Sequence, residues 1–207
     1  MSKKICVVTP FSSIGGAEKI AVNLANYYQE LGYEITLITF RGTCYYIHQV
    51  SKNIEIIQLK AHRIRYICFK LFIIINKIQP DSVLSVVRDA NISVGLASFL
   101  YTKNVRIVFR EANTLDQVYQ MRSIKQFFYK LLMRLTYYKA DLVIANSEDT
   151  AKDLITSNIR AKNMIVIGNP VLPKNYQQLA NANLDHQWLT NPEYKTILTI
   201  GRLHFQK

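Results

Sequence analysis

Short apolar runs alternate along the chain with longer stretches in which apolar positions recur every three or four residues. The first run, Ile5-Cys6-Val7-Val8, is unbroken, as in a strand covered on both faces. Ala17, Ile20, Ala21, Leu24, Ala25, Tyr28 and Leu31 then recur at helical spacing. Residues 34–40 are β-rich and follow Leu31-Gly32, where glycine closes the first helix. A strand at 53–59 precedes a helix at 61–78, which Gln79-Pro80-Asp81 ends. The pattern continues with strand 82–87, helix 90–101, strand 105–109, long helix 118–138 and strand 141–145. Ser147 then caps a helix over 148–157, and 164–167 is the last strand. Repeated strand–helix units predict an α/β fold: a Rossmann-like, mostly parallel sheet with helices on both faces.

In such a sheet, ligands sit outside the carboxyl ends of the strands. That edge gathers the Gly15-Gly16 loop, Val87-Arg88-Asp89 and Arg110-Glu111-Ala112-Asn113. The plain reading of Gly15-Gly16 is a turn between two elements. Without Cβ atoms the backbone can also turn sharply and admit a ligand closely. The free N–H groups of the following helix, with its dipole, favour an anion there.

The pattern changes after Asn169-Pro170-Val171. Residues 172–194 are polar and rich in Asn and Gln, a linker with at most one short helix. Residues 194–200 resume a strand, and Gly201-Arg202-Leu203 follows shortly before Lys207. The expected organisation is one domain over 1–171, a linker over 172–194, and the first strand and turn of a second, truncated domain over 195–207.

Composition narrows the partners. The 207 residues carry 26 Lys and Arg against 14 Asp and Glu, a net charge of +12, which favours an anionic partner. Nucleic acid ranks low among these, because the tyrosines are dispersed through apolar patterns and make no RNA-binding module. Cys6, Cys44 and Cys68 have no paired spacing, so neither a disulfide framework nor a cysteine zinc site is expected, and a reducing cytoplasm fits. His48, His62, His186 and His204 share no ligand spacing, and no metal site is expected. The N-terminus is not a signal peptide, and no stretch reaches the ~18 apolar residues of a membrane span. Abundant Lys, Ile and Asn suggest an AT-rich bacterial source.

Four pieces in order carry a resemblance. They are Gly15-Gly16-Ala17-Glu18, Ala140-Asp141-Leu142-Val143-Ile144-Ala145-Asn146-Ser147, Val166-Ile167-Gly168-Asn169-Pro170-Val171, and the stretch from Ile197 to Lys207 with Gly201-Arg202-Leu203. Together they resemble the family-4 glycosyltransferases, retaining enzymes of the two-domain GT-B fold. The resemblance implies an N-terminal domain that binds the acceptor and a C-terminal domain that binds a nucleotide-sugar donor. It implies that Gly15 and Gly16 lie near the donor diphosphate and that Arg202 and Lys207 contact it. Without the family, Arg202 and Lys207 read as ordinary surface cations. Cations there stabilise charge growing on the leaving group, so no metal or other cofactor is required, and no Asp-x-Asp pair is present to hold one. The family's paired glutamates would lie beyond Lys207, so the 207 residues alone are expected not to turn over.

Glu111 is the candidate catalytic residue, orienting the acceptor hydroxyl or taking its proton. The alternative is a Glu111 paired with Arg110 or Arg106. Glu18, Arg88 and Asn113 are the candidate acceptor contacts; the strand end Arg88-Asp89-Ala90-Asn91 could bind acceptor hydroxyls or phosphate, with Asp89 more simply a cap of the following helix. Residues 60–77 and 118–139 carry cations and no acid. In the second, Arg122, Lys130 and Arg134 form one stripe and Val118, Met121, Ile124, Phe128, Leu131 and Leu135 another. With Lys125, these cations are the candidate contacts to an anionic membrane surface; the alternative is a helix packed on the sheet with a solvated basic face. The expected function is sugar transfer from a nucleotide-sugar, with retention, to a polysaccharide or lipid-linked saccharide, in the cytoplasm or at the inner face of the membrane. The alternative is a truncated, non-catalytic module that binds membrane or a partner protein.

Overall fold

The structure is a computed structural model and describes residues 3–11, 15–42, 45–61, 63–115, 123–170, 176–183 and 185–199. The chain divides into two units, residues 1–169 and 170–207.

The first unit is built on seven parallel strands: β1 (Lys4–Pro10), β2 (Glu34–Phe40), β3 (Glu55–Leu59), β4 (Ser82–Ser85), β5 (Arg106–Glu111), β6 (Leu142–Ala145) and β7 (Met164–Val166). Their order across the sheet is β3-β2-β1-β4-β5-β6-β7. Among the described residues, five α-helices connect them: α1 (Gly16–Glu30), α2 (Ile64–Ile78), α3 (Arg88–Ser98), α4 (Ser123–Tyr137) and α5 (Glu148–Thr156). Strand order reverses between β1 and β4. There the connections after the two adjacent strands leave in opposite directions and open a crevice at the carboxyl ends.

Each strand feeds both faces because successive side chains alternate. Cys6 and Val8 of β1 join one buried cluster with Ile67, Leu71 and Ile75 of α2, Ile92 of α3 and Met133 and Tyr137 of α4. Val7, between them, joins the other cluster with Ala21, Val22 and Ala25 of α1. Burial pushes the Cys6 thiol up to about 12 and the Cys68 thiol to about 11, so both stay protonated and unreactive.

Local chemistry sets several boundaries. Gly32 follows α1 in the left-handed region, φ 85°, as a C-terminal glycine does. Ser147 caps α5, its hydroxyl accepting from the Thr150 N–H at 3.2 Å. The cap of α3 is Val87, which has no capping side chain, and Asp89 lies inside the first turn rather than before it. Helix α3 approaches α4 closely because Gly95 lacks a side chain: an added Cβ would lie 2.4 Å from Thr136 Cβ.

Helix α4 differs from its sequence reading. Its inward face is Met133, Thr136 and Tyr137. The stripe Ile124, Phe128, Leu131 and Leu135 faces solvent, joined by Phe127 and Tyr138. The alternative reading, a helix packed on the sheet, put the cations on a solvated face. Arg134 instead donates to the Ser157 carbonyl at the end of α5, at 3.0 and 3.3 Å. Lys125 is exposed and Lys130 half-buried; Arg122 lies outside the described residues.

The second unit contains α6 (Tyr176–Ala180) and α7 (Gln187–Thr190). Its expected strand at 194–200 is not formed over the described residues 194–199. There the Thr196 hydroxyl donates to the Trp188 carbonyl, a local fold-back in place of a ladder. A strand needs a neighbour to take its N–H and C=O groups, and the described residues of this unit offer none.

Candidate active site

On the β1 side of the strand-order reversal, Gly15 caps α1 in extended backbone, φ −119° and ψ 148°, which any residue adopts. The glycine pair is therefore not required here for a tight turn. A Cβ added to Gly16 would meet nothing within 4 Å among the described residues, so there is room beside the first residue of α1. Glu18, in that turn, is buried. The backbone strain lies instead at the end of β2, where Arg41 (φ 61°) and Gly42 (φ 98°) are both left-handed. A Cβ on Gly42 would come 2.7 Å from the Phe11 carbonyl oxygen.

On the β4 side, Arg88 and Asp89 open α3. Asp89 accepts from Arg41 Nη1 at 2.5 Å and from the Tyr129 hydroxyl at 3.0 Å. This joins the end of β2, the start of α3 and the body of α4. Burial and the neighbouring Asp89 carboxylate push the Tyr129 hydroxyl up, so it remains a donor.

Glu111 ends β5 with its side chain 2 % exposed. Its Oε1 accepts from Arg88 Nη2 at 2.8 Å, and its Oε2 accepts from the Tyr137 hydroxyl. The ion-pair partner is thus Arg88, not Arg110 or Arg106. Asn91 of α3 completes the network. It donates to Tyr137 Oη at 3.0 Å and to the Arg110 carbonyl at 3.1 Å, and accepts from Ser85 Oγ at 2.5 Å. Burial, then the Glu111 charge, hold the Tyr137 hydroxyl well above its ordinary value. Burial pulls the Arg88 guanidinium down, but Glu111 and the tyrosines outweigh it, and it rises overall. With its side chain 2 % exposed and a bond on each oxygen, the Glu111 carboxylate is turned inward rather than presented to a ligand.

Arg88 Nη2 also donates to the carbonyls of Asn113 and Thr114, at 2.8 and 3.0 Å, so it ties down the segment after β5. Asn113 itself is exposed. Arg110 points elsewhere, to the Val86 carbonyl at 3.2 Å and to the side-chain oxygen of Asn169. Burial lowers its pKa.

The structure therefore brings Arg88, Glu111 and the Asn113 backbone together, with Gly15, Gly16 and Glu18 on the neighbouring connection. Arg202 and Lys207 lie outside the described residues. Among the described residues no group of three or more His, Cys, Asp or Glu side chains is placed to hold a metal. Tyr137 was missed in the sequence, and Asn91 was read only as part of the strand end Arg88-Asp89-Ala90-Asn91. The available signal was Tyr137 at four residues from Met133, an inward-facing polar tip beside a strand that ends in a carboxylate.

The sequence model of Glycosyltransferase Family 4 matches residues 14–174, well over half the chain. The chain belongs to that family. A curated relative from Campylobacter jejuni, N-acetylgalactosamine-N,N'-diacetylbacillosaminyl-diphospho-undecaprenol 4-alpha-N-acetylgalactosaminyltransferase, is 26 % identical over 198 residues, covering 91 % of this chain and 52 % of its own length. The amylovoran biosynthesis glycosyltransferase AmsD of Erwinia amylovora is 23 % identical over 210 residues, covering all of this chain and 56 % of its own. The chain thus spans about half the length of these relatives. A crystal structure of a glycosyltransferase from Rickettsia africae superposes with a TM-score of 0.64 at 19 % identity, over 88 % of this chain and 46 % of that one. Anabaena HepE in complex with UDP-glucose also gives 0.64, at 20 % identity, over 86 % and 50 %. This family-4 member has the Rossmann-like fold of a GT-B domain.

Proposed function

We propose that this chain is the acceptor-binding half of an enzyme that moves a sugar, with retention, from a nucleotide-sugar to a polysaccharide or lipid-linked saccharide. The observation that carries the reading is Arg88, held at the strand-order reversal by a buried carboxylate with donor capacity to spare. Family membership and a relative whose name specifies a diphospho-undecaprenol saccharide support it.

In this reading the acceptor lies against Arg88, Asn113 and Glu18. The donor diphosphate lies by Gly15 and Gly16, at the first-turn N–H groups of α1. The resemblance assigns further contacts to that diphosphate to Arg202 and Lys207, which lie outside the described residues. As the sugar–phosphate bond breaks, negative charge gathers on the diphosphate, and preorganised donors hold it. Glu111 fixes Arg88; it accepts the acceptor's proton only once Tyr137 or Arg88 has released one of its oxygens. No step is assigned to a metal or other cofactor.

A peripheral place on an anionic inner membrane leaflet belongs to the same reading. The exposed apolar stripe of α4, in a stretch with cations and no acid, supports it. No helix among the described residues is long and apolar enough to cross a membrane.

The test is an assay of the product of the whole reading frame that encodes these residues, with UDP-sugars and lipid-diphosphate saccharides. The expected result is a glycoside whose anomeric configuration, read by NMR, matches that of the donor. Donor hydrolysis with no transfer to any saccharide, or no reaction at all, favours the non-catalytic module.

A further inference from the structure

Arg88 uses its guanidinium unevenly. Three acceptors crowd onto Nη2, which has two hydrogens: Glu111 Oε1, the Asn113 carbonyl and the Thr114 carbonyl. Nε is buried and donates to nothing, and no bond is made by Nη1 to any described residue. The side chain is only 10 % exposed. A guanidinium has five N–H groups, so three are unspent on the described residues, one of them in a setting where an unmade hydrogen bond is costly.

The surroundings select the ligand's charge. Arg88 is the first residue of α3, whose leading N–H groups have no intrahelical partners, and Val87 before it supplies no side-chain cap. The nearest acid in that turn, Asp89, already faces Arg41 and Tyr129. Arg110, on the adjoining strand, is 6 % exposed and has no carboxylate within ion-pair distance among the described residues. Arg110 points away from Arg88, and Glu111 takes up only Nη2; a planar fork with unspent donors at a helix N-terminus suits phosphate oxygens better than neutral hydroxyls.

We infer that Arg88 is a phosphate contact for the acceptor, which carries a phosphate or diphosphate ester beside its saccharide, and that Glu111, Tyr137 and Asn91 are positioning residues that aim the guanidinium. This rests on Arg88 belonging to the acceptor side, as proposed above. Two tyrosine hydroxyls from α4 enter the arrangement, Tyr137 on Glu111 and Tyr129 on Asp89. The aim of Arg88 therefore depends on how α4 is seated.

The test is calorimetric titration of the 207-residue chain with farnesyl diphosphate, with farnesol as the phosphate-free control and UDP as the donor-side probe. The unsubstituted chain binds farnesyl diphosphate saturably and more tightly than farnesol. Arg88→Met weakens that binding about tenfold, Arg88→Lys less, and Tyr137→Phe weakens it while leaving the cation in place. Arg65→Gln, on the exposed face of α2, leaves it unchanged. Because Arg88→Met strands a buried Glu111, Arg88→Met/Glu111→Gln is measured beside it, and both are checked for a cooperative melt. Equal losses from Arg65→Gln and Arg88→Met, or no preference over farnesol, overturn the inference. A loss confined to UDP overturns both it and the acceptor-side placement. Arg88-dependent binding of a neutral methyl glycoside without any binding of farnesyl diphosphate overturns the phosphate ligand and leaves the acceptor reading standing.

Discussion

Tyr137 shows how much one hydroxyl carries at this edge. It is fully buried, donates to Glu111 and accepts from Asn91. A phenylalanine would keep the ring, including its edge-on contact with Phe109 at 5.2 Å between centroids, and remove both bonds. The bond to Glu111 ends on a charged group, and a buried acceptor left without its donor costs about 1–3 kcal/mol. Tyr137→Phe should therefore lower stability by roughly that amount, read as a shift of the denaturation midpoint at unchanged slope. An unchanged midpoint would show that the hydroxyl is not part of the network. Glu111 was legible in the sequence as a polar strand end. Its partner was not, because Arg88 is 23 residues away and nearer arginines, Arg106 and Arg110, offered simpler pairings. Ion pairs between elements are set by the strand order, which sequence spacing does not contain.

Among the elements, the strands were the most legible. Near-continuous apolar runs mark parallel strands covered on both faces, and the seven strands of the first unit were all anticipated, with edges displaced by a few residues. Helix α4 was legible as a helix but not in its orientation. Its most apolar stripe is not its buried stripe: Met133, Thr136 and Tyr137 face inward because Gly95 admits Thr136 and the network draws in Tyr137. Periodicity reports that a helix has faces; contacts with its neighbours decide which face is covered. Gly95→Ala tests the close approach of α3 and α4. The added methyl must displace Thr136, and overpacking of this kind costs about 1–3 kcal/mol, against the few tenths of a kcal/mol or more gained by alanine in an open helix position. A lower melting temperature is expected, and a higher one would contradict the packing. The outward stripe has its own test. The chain should sediment with phosphatidylglycerol vesicles at low salt, and Phe127→Ser/Phe128→Ser/Leu131→Ser should leave it in the supernatant. A soluble dimer that the same triple substitution dissolves would assign the stripe to a second copy of the chain instead.

At the scale of the whole molecule, fold class and family followed from patterns spread along the chain, whereas the chemistry depends on where connections cross. Arg88, Glu111 and the glycine pair meet at one edge because the strand order reverses between β1 and β4 and the following connections open there. The strand expected at 194–200 marks the opposite case: over the described residues 194–199 none forms, since a pattern suited to a strand needs a neighbour to pair with. In the proposed function Arg88, at this edge, serves the acceptor. The most direct measurement is steady-state kinetics of the whole-frame enzyme and its Arg88→Lys variant, with acceptor and nucleotide-sugar varied in turn. A rise of about tenfold or more in acceptor KM, with donor KM unchanged, is the predicted result. A rise in donor KM with acceptor KM unmoved would contradict it.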